Sequence, residues 1–309
     1  MKKIYKVEPI IEARVWGGQK LREFFGYKTD LPNIAEVYHV IAIPGHLDCP
    51  VTGTGQNLSK FYRKNRDLFG CKPDDLPVRL VTANAVDKMS YHLHPTDEYA
   101  LAHEGMRGKH EGGLYFGGAK EAMVIMGHNA QSLEELKQWV KEGAWDKLLR
   151  MVPMKENQFS DTPIGTLHGE EGTGEEISVA WSTNGDVTYR LYDHGRNDPK
   201  RPLHVQQVYD NIKIPDNEGL PFDTEPYYKD GCQLYDYFEE KGEYTAVRLK
   251  SGEKASYERP QFWFALNIGA DGTVGNVPCK RGETVLVPCG SGAVPLSSGM
   301  DLCVLSYTD

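Results

Sequence analysis

The segment KMSYHLHPTDEYALAHEG, residues 88–105, carries His92 and His94 two apart in an otherwise alternating run. Alternate side chains of a strand share a face. Ser90, His92 and His94 therefore lie on one side, and Met89, Tyr91 and Leu93 on the other. Pro95 then ends the strand. Two imidazoles ~7 Å apart along one face can converge on a single ion. Downstream, DTPIGTLHG sets Pro163, Gly165 and His168 in a PxGxxH arrangement. Its Pro and Gly make a tight turn that throws the following strand, with its histidine, back across a barrel. The two motifs together predict a shared metal site.

HxH followed by PxGxxH is the paired signature of cupin barrels. Two carboxylates compete for the remaining ligand position. The bare pattern HxHx3Ex6G fits His92, His94, Glu98 and Gly105. The rival is Glu111 in RGKHEGGLYF, which shares a strand face with Lys109. Glu98 follows Pro95 in PTDEY, which reads as a turn. Glu111 opens a glycine-flanked strand that can aim it inward, so Glu111 is preferred. Three imidazoles and a carboxylate suit Zn²⁺ and would also accept Mn²⁺, Fe²⁺, Co²⁺ or Ni²⁺.

Such a set needs strands to hold it. Gly and Pro punctuate short alternating runs throughout, the texture of sandwiches and barrels. Helical signals are local. SLEELKQWVKEGAWDKLLRMVP opens with Ser132 and has Glu135 three residues on, a capping box. NLSKFYRKNRDLFG and HVQQVYDNI predict two further short helices. PDNEGLPFDTEPYYKDG lacks periodicity and reads as a connection. The expected fold is mainly β: two cupin-like barrel or jelly-roll units with a small helical insert at about 132–150. Residues 1–225 would form the metal-binding unit and 226–309 an all-β unit.

The net charge of −9 over 309 residues disfavours a nucleic-acid partner, which needs a basic surface. No run of ~18 apolar residues predicts a membrane span. The first residues show no apolar signal core, which points to the cytoplasm. The six cysteines form no CxxC pair and read as reduced thiols. A small molecule is the expected partner. Trp16 with Gly17 and Gly18 reads as packing and a turn. His103, His110 and His128 read as solvated. His39 and His46 read as surface or hydrogen-bonded groups.

The chain resembles the type I mannose-6-phosphate isomerases of the short bacterial kind. ARVWGGQKLREFFGY, MSYHLHPTDEYA, GKHE, IGTLHG, DVTYRLYDHGR and PKRPLHVQQVYDNI carry the resemblance, in order, over about two-thirds of the chain. It implies a Zn²⁺ enzyme that interconverts mannose 6-phosphate and fructose 6-phosphate or a related pair. His94, Glu111 and His168 take ligand positions, which supports Glu111 over Glu98. Ser90 and Lys109 match positions that contact the sugar phosphate, and Arg190 matches an active-site arginine. Lys and Arg also suit a phosphate dianion.

Departures accompany the match. His92 stands where the family has Gln, as a fourth ligand or a substitute base. Counting back in phase from Arg190 through Thr188, Asp186, Asn184 and Ser182 puts Ala180 where the family has an inward glutamate. Val81 and Asn84 replace a Lys and an Asp, and Tyr38 and His39 a Trp and a Glu. Two other functions share these residues: a metal-cupin enzyme acting on another sugar, and a non-catalytic sugar-binding protein.

Overall fold

The computed structural model describes residues 2–118 and 121–309. It is mainly β, with three large antiparallel sheets in layers. A five-stranded sheet holds Leu149–Lys155, Glu121–His128, His168–Glu170, Tyr91–Leu93 and Tyr189–Tyr192. A six-stranded sheet holds Phe159–Thr162, Glu111–Tyr115, Ser178–Thr183, Val78–Ala83, Glu36–Val40 and Ile10–Glu12. A nine-stranded sheet runs from Tyr227–Lys229 at one edge to Gln56–Asn57 at the other.

The six-stranded sheet is the shared wall. Leu80, Leu114, Phe159 and Trp181 pack against Tyr244, Phe264, Leu266 and Leu305 of the C-terminal strands. Trp181 Nε1 donates to the Val304 carbonyl at 2.9 Å. The opposite face of the same strands, with Arg79, Val81, Glu111 and Ala180, lines a cavity. The C-terminal strand DLCVLS is apolar without alternation because both its faces are covered. Cys303 and Leu305 join the shared core, and Leu302 and Val304 join a second cluster with Trp263, Val285 and Val287. Burial on both faces turns an alternating pattern into a continuous apolar one.

The nine-stranded sheet draws strands from both sides of residue 225. Tyr5–Val7 lies between Thr284–Val287 and Pro50–Val51 in the nine-stranded sheet. N-terminal residues thus complete the sheet that the C-terminal strands begin.

The expected helices form at Leu58–Lys64 with Arg66–Phe69, at Leu133–Glu142 with Trp145–Leu148, and at Val205–Asn211. Ser132 accepts from Glu135 N, Glu135 reaches back to Gln131 N, and Gly143 closes the helix at φ 66°. Leu136, Trp139, Leu148 and Val208 cover Tyr91, Leu93 and Leu191 on the outer face of the five-stranded sheet. Two short helices escaped the sequence patterns, Lys20–Phe25 and Asp97–Glu104. Among the described residues no helix is long and apolar enough to cross a membrane.

Trp16 packs with Ala35 and Ala85, as its sequence context implies. His128 is not solvated. It is buried, its Nε2 2.8 Å from the Lys213 carbonyl, and burial lowers its pKa. His110 is not solvated either, being half-buried 2.9 Å from Asp161 and 3.5 Å from Glu243. His103 is exposed and stacks on Tyr99 at 3.9 Å.

If the six-stranded sheet is one wall for two cores, Trp181→Ala will cost about 3–5 kcal/mol, the range for a buried large aromatic. Urea denaturation followed by far-UV circular dichroism measures it. A loss well below that range would remove Trp181 from the keystone role.

Candidate active site: three histidines facing a carboxylate

The outward faces of Tyr91 and Leu93 are held by the helical layer, so His92 between them must point the other way. Register does the rest. His92 pairs with His168 on one side and with Arg190 on the other. Directly opposed residues of antiparallel strands carry Cβ atoms about 5 Å apart. A row of Arg190, His92 and His168 therefore crosses the five-stranded sheet and faces the cavity. His94 follows at the end of its strand. One ligand atom from each of His92, His94 and His168 lies within 4.8 Å of the others.

All three rings are buried and held alike. Nδ1 of His92 faces the Ser90 carbonyl at 2.6 Å, that of His94 the Val187 carbonyl at 2.7 Å, and that of His168 the Thr166 carbonyl at 2.9 Å. A carbonyl only accepts, so each Nδ1 carries a proton, and in the neutral ring Nε2 keeps its lone pair. Burial, with His168 and His94 alongside, holds the His92 pKa well below the imidazole range. Burial and the Lys109 charge bring that of His94 down to about 4. Neutral imidazoles are the ligand form.

Glu111 arrives from the facing sheet. Its Oε1 lies 3.2 Å from His168 Nε2 and 3.4 Å from His94 Nε2, and its Oε2 2.5 Å from Lys109 Nζ. Burial works to raise the Glu111 pKa, but Lys109 and His94 hold it well below the carboxylate range. Lys109 Nζ also comes within 3.3 Å of His94 Nε2. The buried His168 Nε2 has no hydrogen-bond partner among the described residues. Two lone pairs facing one carboxylate oxygen repel unless a cation stands between them, so the donor set fits a divalent metal. The carbonyls behind the rings are the outer partners such ligands use.

Glu98 is far from this arrangement in role. PTDEY is not a turn but the start of the helix Asp97–Glu104, capped where Thr96 accepts from Tyr99 N. Glu98 is exposed on that helix. The signal was present in sequence, since Thr96 followed by acidic residues is an N-cap pattern.

The cavity has a volume of about 450 Å³. Ser90, Lys109 and Arg190 all line it with the histidines and Glu111. Ser90 Oγ sits 3.3 Å from His92 Nδ1. The guanidinium of Arg190 makes no hydrogen bond or ion pair among the described residues, and its buried Nε is unsatisfied. Burial and the neighbouring Arg201 lower its pKa. Arg14 and Arg79 also reach the cavity but are spent on carboxylates, Arg14 Nε on Glu36 at 3.0 Å and Arg79 on Asp186 at 2.7 Å. Arg190 is thus the guanidinium best placed to take an anion.

Ala180 lines the cavity, as the count from Arg190 implies, but by a different route. Ser178–Thr183 and Tyr189–Tyr192 are separate strands in facing sheets, joined by a corner at 184–188. Ala180 pairs with Gly113 and Val81, which leaves that patch of wall small and apolar. Glu170 is a cavity residue that the motifs did not single out. It lies two residues after His168 on the same strand, and period two was the available signal.

If the imidazoles and Glu111 form the metal set, His168→Ala will lose the stoichiometric equivalent of metal that wild type retains after gel filtration, while Glu98→Ala keeps it. Inductively coupled plasma mass spectrometry reads both. A full equivalent in His168→Ala would refute the assignment.

No family model matches the chain. It is 35% identical over 223 residues to a mannose-6-phosphate isomerase of Streptococcus mutans, covering 70% of this chain and 68% of that one. It is 30% identical over 313 residues to a mannose-6-phosphate isomerase of Bacillus subtilis, covering 97% of each. Its fold superposes on the crystal structure of a Bacillus subtilis mannose 6-phosphate isomerase with a TM-score of 0.91 at 24% identity, covering 99% of this chain and all of that one. The match to the Bacillus subtilis protein along the whole chain places this chain in the mannose-6-phosphate isomerase family.

Proposed function

We propose that the chain is a metal-dependent aldose–ketose isomerase that interconverts mannose 6-phosphate and fructose 6-phosphate, with Zn²⁺ as its metal. The observation that carries this reading is the meeting, in one cavity, of three buried imidazoles, Glu111 and an arginine unpaired among the described residues. His92, His94, His168 and Glu111 would hold the ion, and its charge would polarise the sugar oxygens at the reacting carbons. Neutral nitrogen donors and one carboxylate favour Zn²⁺.

The protein groups then have separate tasks. Arg190 binds the phosphate, which relieves its unmatched charge. Ser90 and Lys109 hydrogen-bond the sugar, with Lys109 kept in place by Glu111. His92 belongs to the metal and not to proton transfer, because Ser90 occupies its Nδ1 and its Nε2 faces the other imidazoles. The expected setting is the cytoplasm, where charged sugar phosphates are retained because they cannot cross an apolar layer.

A second reading rests on the small wall at Ala180 and Gly113. That space favours a sugar with a bulkier substituent over mannose 6-phosphate itself. The test for both is a panel of aldoses, ketoses and their 6-phosphates with the Zn²⁺-loaded protein, scored by product NMR. Turnover of mannose 6-phosphate supports the first reading. Turnover of another sugar alone supports the second, and binding without any turnover refutes both.

Arg190→Ala is expected to weaken 6-phosphates by about 1.5–3 kcal/mol, the range for a hydrogen bond to a charged group. Unphosphorylated sugars should change little. Calorimetric titration of each class measures the difference, and equal weakening of the two would move Arg190 from the phosphate to the sugar ring.

A further inference from the structure

An aldose–ketose isomerase must take a proton from one carbon and deliver it to its neighbour, so one cavity group must be free to act as base. The hydrogen-bonding pattern removes most candidates. The three imidazoles have their Nδ1 atoms on carbonyls and their Nε2 atoms in the metal set. Glu111 is bound to Lys109. Glu36 is paired with Arg14, and Asp186 with both Arg79 and His46. Glu104 is exposed at the C-terminal end of its helix, and His204 Nδ1 accepts from Arg190 N at 3.3 Å. Glu170 is different. It lines the cavity beside the metal set, two residues beyond His168, and makes no ion pair among the described residues.

Resting on the isomerase reading above, we propose that Glu170 is the catalytic base that shuttles the proton between C1 and C2 of the sugar. Its neighbours suit that task. The Tyr115 hydroxyl stands beside the carboxylate and orients it. Tyr115 pairs with Ser178, and Gly113, two residues away on the same face, pairs with Ala180. The small wall at Ala180 and the Glu170 side chain line the same cavity, and the absence of bulk at Ala180 and Gly113 leaves room for the reacting carbons.

The step balances without an oxidant or reductant. The Glu170 carboxylate takes the proton from C2 of the aldose, and the C2–H electron pair becomes the C1=C2 bond. The C1 carbonyl oxygen takes up a proton and the enediol forms. Glu170 then returns its proton to C1. The O2 hydroxyl loses its proton and becomes the ketone, so a proton passes in effect from O2 to O1, carried by water in the cavity. The reverse reaction uses the same groups in the opposite order.

The test compares wild type, Glu170→Gln and Glu170→Asp, each Zn²⁺-loaded, with mannose 6-phosphate as the probe. Three quantities are read: kcat and KM by product NMR, deuterium incorporation at C1 and C2 in D₂O, and bound metal. Glu170→Gln should lose about 10²–10⁴-fold in kcat. Its deuterium incorporation should fall in parallel, with KM within a few-fold of wild type and a full equivalent of metal. Glu170→Asp, which keeps the carboxylate but shortens it, should recover part of both signals. Three results overturn the inference. The first is Glu170→Gln with wild-type turnover and exchange. The second is an equal loss in Glu170→Asp and Glu170→Gln with metal gone from both, which would make Glu170 a support for His168. The third is wild type inactive on mannose 6-phosphate, which overturns the isomerase reading as well. Active wild type beside equally active Glu170→Gln overturns the inference alone.

Discussion

The carbonyls of Ser90, Val187 and Thr166 each face the Nδ1 of one histidine, and the chemistry of the cavity depends on that pairing. An imidazole has one proton to place when neutral. Fixing it on Nδ1 leaves the other nitrogen as a donor to a metal and fixes the ring plane at the same time. The carbonyls of Ser90 and Thr166 lie two residues before the rings they hold, and that of Val187 lies in the corner that precedes Tyr189. The tautomer is therefore set by backbone geometry, which side-chain substitutions elsewhere leave in place.

Everything around this group serves to bring one opposite charge to it. Glu111 comes from a sheet that shares no strand with the histidines, so its approach depends on how the two sheets stack. The stacking is fixed from behind. Phe159, Trp181 and Leu114 lock the six-stranded sheet onto the C-terminal strands, and Gly112 lets it come close, since a Cβ there would lie 2.5 Å from the Phe159 ring and 2.7 Å from the Tyr244 hydroxyl. The C-terminal strands place no residue in the cavity, yet they hold the wall that carries Glu111.

Much of this was legible in the chain. Period two along MSYHLH assigned a face to each residue, because Tyr91 and Leu93 had to be buried somewhere. PxGxxH located the returning strand, since a turn of that kind has few geometries. The choice of Glu111 over Glu98 rested on strand against turn; Glu111 lies against His94 and His168, while PTDEY starts a helix on which Glu98 is exposed. Pairing was harder to read. His128 sits in a polar, glycine-rich stretch, but its burial comes from residues 213 and 216, far along the chain. His110 is polar in sequence and is covered by Tyr244 and Phe238 of the C-terminal unit. Glu170 was hidden among the acidic residues of HGEEGTGEE, where composition masks the one carboxylate that shares a face with His168.

The position of Tyr5–Val7 has a meaning for synthesis. Its strand bonds to Thr284–Val287, and Lys6 pairs with Glu283, 277 residues away in sequence. A chain emerging from the ribosome exposes this strand long before it supplies Thr284–Val287, one of its two neighbours. Until then the first strand has an open edge, and contacts of such separation close slowly. Lys3 precedes the waiting strand and Lys6 lies within it, and such charges discourage pairing with other chains. The nascent protein therefore carries its own protection at the place where assembly takes longest to finish.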